Sequence, residues 1–264
     1  MSDPEPPVRI LRRGRLMVVT LSRPAQHNAI DHTMLSALGA ALDEAEADPA
    51  LRSVVLEGNA EVFCSGLDLE AALAGGAMGQ PAAEAGARRY LALLRRFTRS
   101  PKIIACRVAG RCEAGGIGFV AAADFAVAEP GASFRLSEAL IGLLPATLMP
   151  FLIRRTGFRT AYRMTLAAPW LGPQEALAAG LVDAAGPGAA EALRHLLLGC
   201  ERVPERTVAA AKAYFDGLAP ITREIEDYAV GRIGSLLADP DAAARIHDLM
   251  AQGVWQGAGR GGLR

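Results

Sequence analysis

V-A-G-R-C-E-A-G-G-I-G-F-V-A-A-A-D, residues Val108–Asp124, is the stretch on which the fold of this chain turns. It reads as a buried strand, a tight turn at Gly115–Gly116, and a short apolar helix. Glycines at such a turn let backbone approach a ligand closely. They also stand where a helix N-terminus aims free N–H groups outward. Donors of that kind can hold negative charge that develops on a bound oxygen.

Outward from this stretch, strands alternate with helices. Arg9–Arg13 and Leu16–Leu21 read as a hairpin around Gly14. Asp31 is a plausible N-cap for a helix carrying Leu35, Leu38, Ala41 and Leu42, which should end before Pro49. Ser53–Glu57 is a short buried strand, and Val62–Phe63 begins another extended piece that breaks at Gly66. The small, Gly-rich 71–80 segment separates it from a helix over Ala82–Thr98, with Leu91, Leu94 and Phe97 on one face and arginines on another. The arginine face reads as solvated, with an acidic partner as the alternative. Ile103–Val108, Phe125–Ala128, Ser133–Leu136 and Leu181–Asp183 read as further strands. Helices are expected over Leu148–Arg155, Phe158–Thr165, Gln174–Ala179, Pro204–Asp216, Ile221–Leu237 and Asp241–Gln252. The alternation predicts α/β crossover units followed by a helical C-terminal region.

Composition narrows the function classes. The chain has 264 residues, with 28 Lys+Arg against 28 Asp+Glu, so no global field recruits nucleic acid or a membrane surface. Lys102 and Lys212 are the only lysines, leaving few candidates for lysine chemistry. Cys64, Cys106, Cys112 and Cys200 show no paired metal spacing, and His27, His32, His195 and His247 are scattered, so no metal site is expected. The start, M-S-D-P-E-P-P, is acidic and Pro-rich and does not read as a signal peptide, and no apolar run in the sequence reaches membrane-spanning length. A cytoplasmic protein with reduced thiols is expected. Gly257, Gly259 and Gly262 spell GxGxxG with no helix behind them, so they are not read as a dinucleotide site.

Three segments in order carry the chemistry: L-S-R-P-A-Q-H-N-A-I at 21–30, F-C-S-G-L-D-L at 63–69, and the glycine turn. Their order and spacing resemble the crotonase superfamily, the enoyl-CoA hydratase and isomerase fold. The resemblance covers about residues 10–185. It implies a crotonase-type ββα spiral core at 1–200, with a helical region at 201–264 that serves oligomerisation as a homotrimer or a dimer of trimers. It also implies that two backbone N–H groups, those of Leu67 and Gly115, polarise a substrate thioester. Arg23, Ser65 and Gly66 then fall near the pantetheine or nucleotide end. No resident cofactor is implied, the acyl group being carried on the phosphopantetheine of CoA or of an acyl carrier protein.

Hydratases of that family use two glutamates. One of the matching positions is Gly118; the other is Glu138, in F-R-L-S-E-A-L-I-G. Glu138 is therefore the expected acid/base. Asp68 and, more weakly, Glu113 are candidates for the missing partner.

G-L-L-P-A-T-L-M-P-F-L-I-R-R-T-G after Glu138, with A-G-G-I-G-F-V-A-A-A-D and R-M-T-L-A-A-P, resembles the hydratase-like enzymes of polyketide beta-branching cassettes. This implies a lyase that dehydrates a 3-hydroxy-3-methylglutaryl-type thioester on an acyl carrier protein to a glutaconyl thioester. The distal carboxylate of such a substrate needs an arginine, and Arg111, Arg135 and Arg88–Arg89 are candidates. The alternative is an ordinary enoyl-CoA hydratase or isomerase acting on a small acyl-CoA. A decarboxylase, for which no lysine is found at 68–78, and a non-catalytic binding protein stand further off.

Overall fold

Val54, Leu56, Ile104, Cys106, Ala126 and Ala128 pack into one apolar core, while Val55, Ala105 and Val127, which alternate with them, pack into another. A period of two with both faces apolar is the mark of strands covered on each side. A computed structural model describes residues 6–69 and 79–251 and sets these strands at the centre of a six-stranded sheet. The first residues of the Pro-rich start, most of the Gly-rich segment, Trp255 and the glycine tail lie outside the described residues.

The strands are β1 (Val8–Arg13), β2 (Leu16–Leu21), β3 (Ser53–Glu57), β4 (Val62–Cys64), β5 (Ile103–Val108), β6 (Arg111–Glu113), β7 (Phe125–Ala128), β8 (Ser133–Arg135) and β9 (Ala184–Ala185). The large sheet has the order β1-β2-β3-β5-β7-β9, antiparallel only at the β1–β2 hairpin. β4, β6 and β8 form a second, parallel sheet. The consecutive pairs β3/β4, β5/β6 and β7/β8 thus each give one strand to each sheet.

The helices are α1 (His32–Ala47), α2 (Gln80–Arg99), α3 (Gly115–Ala122), α4 (Met149–Thr156), α5 (Phe158–Ala167), α6 (Pro173–Ala178), α7 (Ala189–Cys200), α8 (Glu205–Leu218), α9 (Arg223–Leu237) and α10 (Pro240–Ala251). Asp31 caps α1 as its position predicts, accepting from Met34 N at 2.7 Å. The fold is the α/β ββα spiral with a helical C-terminal region.

Several local expectations need correction. β6 was not anticipated: with three residues and only Cys112 buried, it is too short to show a period. The turn that follows is made by Ala114, at φ +46°, rather than by Gly115–Gly116, which already belong to α3. The strand expected at Leu181–Asp183 lies later, at Ala184–Ala185. Leu181 and Val182 plug the core, while both Asp183 N and its carboxylate bond the Ala126 peptide at 2.7 Å. α7, which was not anticipated, covers the outer face of the large sheet through Ala189, Leu193 and the half-buried Leu197.

The arginine face of α2 is solvated in part, with Arg88 and Arg99 exposed, but its arginines are also paired. Arg88 meets Asp227 at 2.6 Å, Arg95 meets Glu226, Arg96 meets Asp43 and Glu46 at 2.7 and 2.9 Å, and Arg99 meets Asp216 at 2.8 Å. These pairs tie α2 to α1, α8 and α9. The C-terminal helices accordingly pack back on their own core, where Leu237, Ala242 and Ile246 meet Leu69, Ala83, Ile141 and Leu143.

Candidate active site

The first motif works as a clamp. Asn28 is fully buried at φ +53°, and its Nδ2 donates to the carbonyls of Val62 and Phe63 at 3.2 and 3.1 Å. Its Oδ1 accepts from Arg23 N at 2.8 Å. Further along, Ser65 N donates to His27 O at 3.1 Å, Ile30 N to Gly66 O at 2.7 Å, and Asp68 N to Ile30 O at 3.0 Å. The 21–30 segment therefore holds the 63–69 loop by main-chain bonds on both sides of Leu67. The Leu67 N–H itself has no acceptor among the described residues.

The Gly115 N–H is likewise without a protein acceptor among the described residues, because it opens α3. The two donors lie side by side: a Cβ built on Gly115 would stand 3.7 Å from Leu67 N. Gly66 has φ +94°, and a Cβ there would stand 3.0 Å from Gly115 N and 2.6 Å from Ala114 Cβ. Glycine at 66 is thus required twice, for its backbone angle and to leave the space between the donors open. Strain at Ala114, a non-glycine residue in a sparsely populated region, sits directly beside the pair.

A cavity of about 310 Å³ opens at these donors. Leu67, Asp68, Gly115 and Glu138 all line it, with Leu144, Leu148, Ile233 and Leu237 among its apolar walls. The sequence-predicted catalytic residues are therefore brought together.

Glu138 begins a short 3-10 turn, Glu138–Ile141. Its Oε2 is buried with no hydrogen-bond partner among the described residues. Burial pushes its carboxyl up to about 7, against the opposing pull of the Glu138 and Ser137 N–H groups, and the charge of Glu113 adds to the rise. A carboxyl poised near neutrality can exist as base or acid at working pH.

The other carboxylates are placed differently. Asp68 lines the cavity with its side chain 3.9 Å from Arg23 Nη2. Glu113 stays outside the cavity lining; burial raises its carboxyl, while Arg111, at 3.4 Å, and Arg135 lower it. Arg23 and Ser65 do not line the cavity either. The Arg23 guanidinium is held by Asp31 at 2.6 Å and by Ala29 O at 3.3 Å.

Among the arginines weighed for a distal carboxylate, only Arg89 reaches the cavity. It is exposed and makes no ion pair among the described residues. Arg135 instead donates to Ala168 O at 2.9 Å and stacks over Trp170 at 5.2 Å. No lysine lines the cavity: Lys102 is buried against Asp48 O, Leu51 O and Glu205, and Lys212 pairs with Asp124 at 2.6 Å. Cys64 is buried and its thiol is pushed up to about 12, so it carries no thiolate. No cluster of three or more metal-ligating side chains occurs among the described residues.

Tyr90 is the site residue that the sequence reading missed. It lines the cavity from α2, and its hydroxyl donates to the Gly115 carbonyl. The signal was its spacing. Tyr90, Leu94 and Phe97 share the buried face of one helix, where a phenol needs a partner for its hydroxyl.

Comparison with known proteins agrees with this geometry. The chain is 35% identical over 211 residues to the bacillaene synthase dehydratase PksH of Bacillus subtilis, covering 80% of this chain and 81% of that protein. It is 34% identical over 180 residues to a putative enoyl-CoA hydratase of Thermus thermophilus, covering 67% of this chain and 70% of that protein. The crystal structure of the B. subtilis putative polyketide biosynthesis enoyl-CoA hydratase PksH superposes with a TM-score of 0.82 at 29% identity, covering 93% of this chain and 97% of that one. The pattern of the Enoyl-CoA hydratase/isomerase family matches residues 12–226. With both backbone donors, the clamp that holds them and the carboxylate beside them, the chain is a member of the enoyl-CoA hydratase/isomerase family, the crotonases.

Proposed function

We propose that this enzyme, a crotonase of the hydratase/dehydratase type, dehydrates a 3-hydroxy-3-methylglutaryl-type thioester on an acyl carrier protein to the glutaconyl thioester. The carrying observation is one buried carboxylate, Glu138, facing a cavity beside two paired N–H donors. The likeness to a polyketide dehydratase supports the substrate class.

In this reading the thioester oxygen sits between Leu67 N–H and Gly115 N–H. Glu138, as carboxylate, takes the proton from the α-carbon. The electron pair moves onto the thioester oxygen, where the two donors stabilise it. The pair then returns to form the α,β double bond as the β-carbon–oxygen bond breaks. Glu138 gives its proton to the departing hydroxyl, which leaves as water, and the carboxylate is restored. Both transfers occur on one face, so one group serves as base and then acid. Arg89 at the cavity receives the distal carboxylate. The pantetheine arm runs past the Ser65–Gly66 backbone. No resident metal or organic cofactor enters the reaction.

The exposed side chains Phe158, Tyr162, Leu166, Ile225 and Tyr228 belong to one apolar face across α5 and α9. We assign this face to contact between copies in a homotrimer or a dimer of trimers.

Intact-mass analysis of 3-hydroxy-3-methylglutaryl groups on a carrier protein and on CoA tests the reading. Loss of one water, chiefly on the carrier, is expected. No change on either, with turnover of crotonyl-CoA, would favour an ordinary hydratase or isomerase, the reading that the similarity to enoyl-CoA hydratases also supports.

A further inference from the structure

We propose that Tyr90 takes the place left by the acid missing at Gly118: it fills the volume from which a second carboxylate would act and anchors the Gly115 donor. The proposal rests on the acyl-thioester reading above.

A Cβ built on Gly118 would collide with the Tyr90 hydroxyl and stand 3.0 Å from both Tyr90 Cζ and Leu148 Cβ. Any side chain at 118 and the phenol of Tyr90 therefore exclude one another. The ring is fixed by edge contact with Phe119, centroids 5.8 Å apart at 67°. From there the hydroxyl reaches over the glycine to the Gly115 carbonyl.

Burial, then the neighbouring Cys64 and Glu138, push the phenol well above its ordinary value, so it remains a neutral donor. It does not substitute for the acid's proton chemistry. It acts through Gly115, whose N–H faces the thioester while its carbonyl is held by Tyr90. Ala114, just before it, is in a strained conformation that can relax if this anchor is lost. Tyr90 is thus a positioning residue, and Glu138 is left to carry both proton transfers.

The test compares wild type, Tyr90→Phe, Gly118→Ala and the double variant. The unreactive probe is 3-methylglutaryl-CoA, which has no hydroxyl to eliminate. Infrared difference spectra read the frequency of its bound thioester carbonyl, which falls as the two donors polarise it. Tyr90→Phe keeps the ring, so the fold should persist, as the unfolding midpoint would show. Expected are probe binding within about threefold of wild type, a smaller carbonyl shift, and dehydration kcat lower by roughly tenfold to a hundredfold at little-changed KM. Gly118→Ala should reproduce this by displacing the hydroxyl, and the double variant should be no worse than either.

A wild-type carbonyl shift and kcat in Tyr90→Phe would overturn the proposal, as would additive losses in the double variant. If Gly118→Ala does not fold, Tyr90→Phe alone decides. If wild type binds the 3-methylglutaryl group neither on CoA nor on an acyl carrier protein, the substrate reading fails, and the same comparison with bound butyryl-CoA decides on Tyr90. No carbonyl shift with either thioester in wild type overturns both.

Discussion

Replacing Glu138 by Gln should abolish dehydration while making the protein more stable, and the gain should depend on pH in a defined way. The carboxyl lies at about 7 in the folded protein against 4.5 for an unperturbed glutamate. Below pH 4.5 it is protonated in both folded and unfolded chains and contributes no pH dependence. Between 4.5 and 7 the folded state keeps a proton that the unfolded state has lost, so stability falls as pH rises. Above 7 the full cost is present. At about 1.36 kcal/mol per tenfold change in the protonation equilibrium, the rise from 4.5 to about 7 corresponds to about 3 kcal/mol. Glutamine keeps the shape and removes the charge. Urea unfolding of wild type and Glu138→Gln at pH 4.5, 6 and 8 should show a difference that grows with pH toward about 3 kcal/mol. The dehydration rate of wild type should rise through about pH 7, because the base form starts the reaction, and Glu138→Gln should lose several orders of magnitude. Equal stabilities at pH 8, or a rate profile flat from pH 5 to 9, would refute the poised carboxylate.

Other perturbations probe the remaining parts of the site. Gly66→Ala would push a methyl group against Ala114 Cβ and toward Gly115 N; loss of one donor should cost about 3–4 kcal/mol of transition-state stabilisation, read as a hundredfold or greater fall in kcat. Unchanged kcat would mean that the two N–H groups do not hold the thioester. Arg89→Gln should lower kcat/KM for carboxylated thioesters by about 1.5–3 kcal/mol and leave crotonyl-CoA turnover unaltered. An equal fall for both substrates would remove Arg89 from the specificity reading. Tyr162→Asp with Tyr228→Asp should convert an assembly into monomers by light scattering, because both side chains stand on the exposed apolar face. A monomeric wild type would sink that assignment.

The sequence displayed the donors more clearly than their supports. Leu67, Gly115 and Glu138 were found because each is registered to a local motif, and they do meet at one cavity. Asp31 was found because capping is a matter of three neighbouring residues. What stayed hidden depends on distant partners. The arginines of α2 look unpaired until α8 and α9 bring Asp216, Glu226 and Asp227 across from them. Ala114 gives no hint of its positive φ, which is imposed by β6 pairing and by the start of α3 on either side. Gly118 read as an absence, and only the fold shows that the phenol of Tyr90, from another helix, occupies the space.

That occupied space bears on which reaction a one-carboxylate crotonase can perform. On one face a single carboxylate serves both directions: in hydration it takes a proton from water and gives it to the α-carbon, and elimination retraces that path. In elimination the proton taken from the α-carbon is the one the departing hydroxyl needs, so no second acid is called for. The chemical burden then shifts to breaking the carbon–oxygen bond. A tertiary β-carbon, as in a 3-hydroxy-3-methyl acyl group, eases this step because the double bond that forms carries one more alkyl substituent. A secondary 3-hydroxyacyl thioester lacks that help. The same cavity should therefore dehydrate the β-methylated substrate faster than its unbranched counterpart by more than binding alone explains. The difference should appear in kcat rather than in KM, since the extra methyl acts in the transition state. If the two substrates share one kcat, the single carboxylate does not set the substrate class, and branching is recognised only by the fit of the methyl group to the apolar wall.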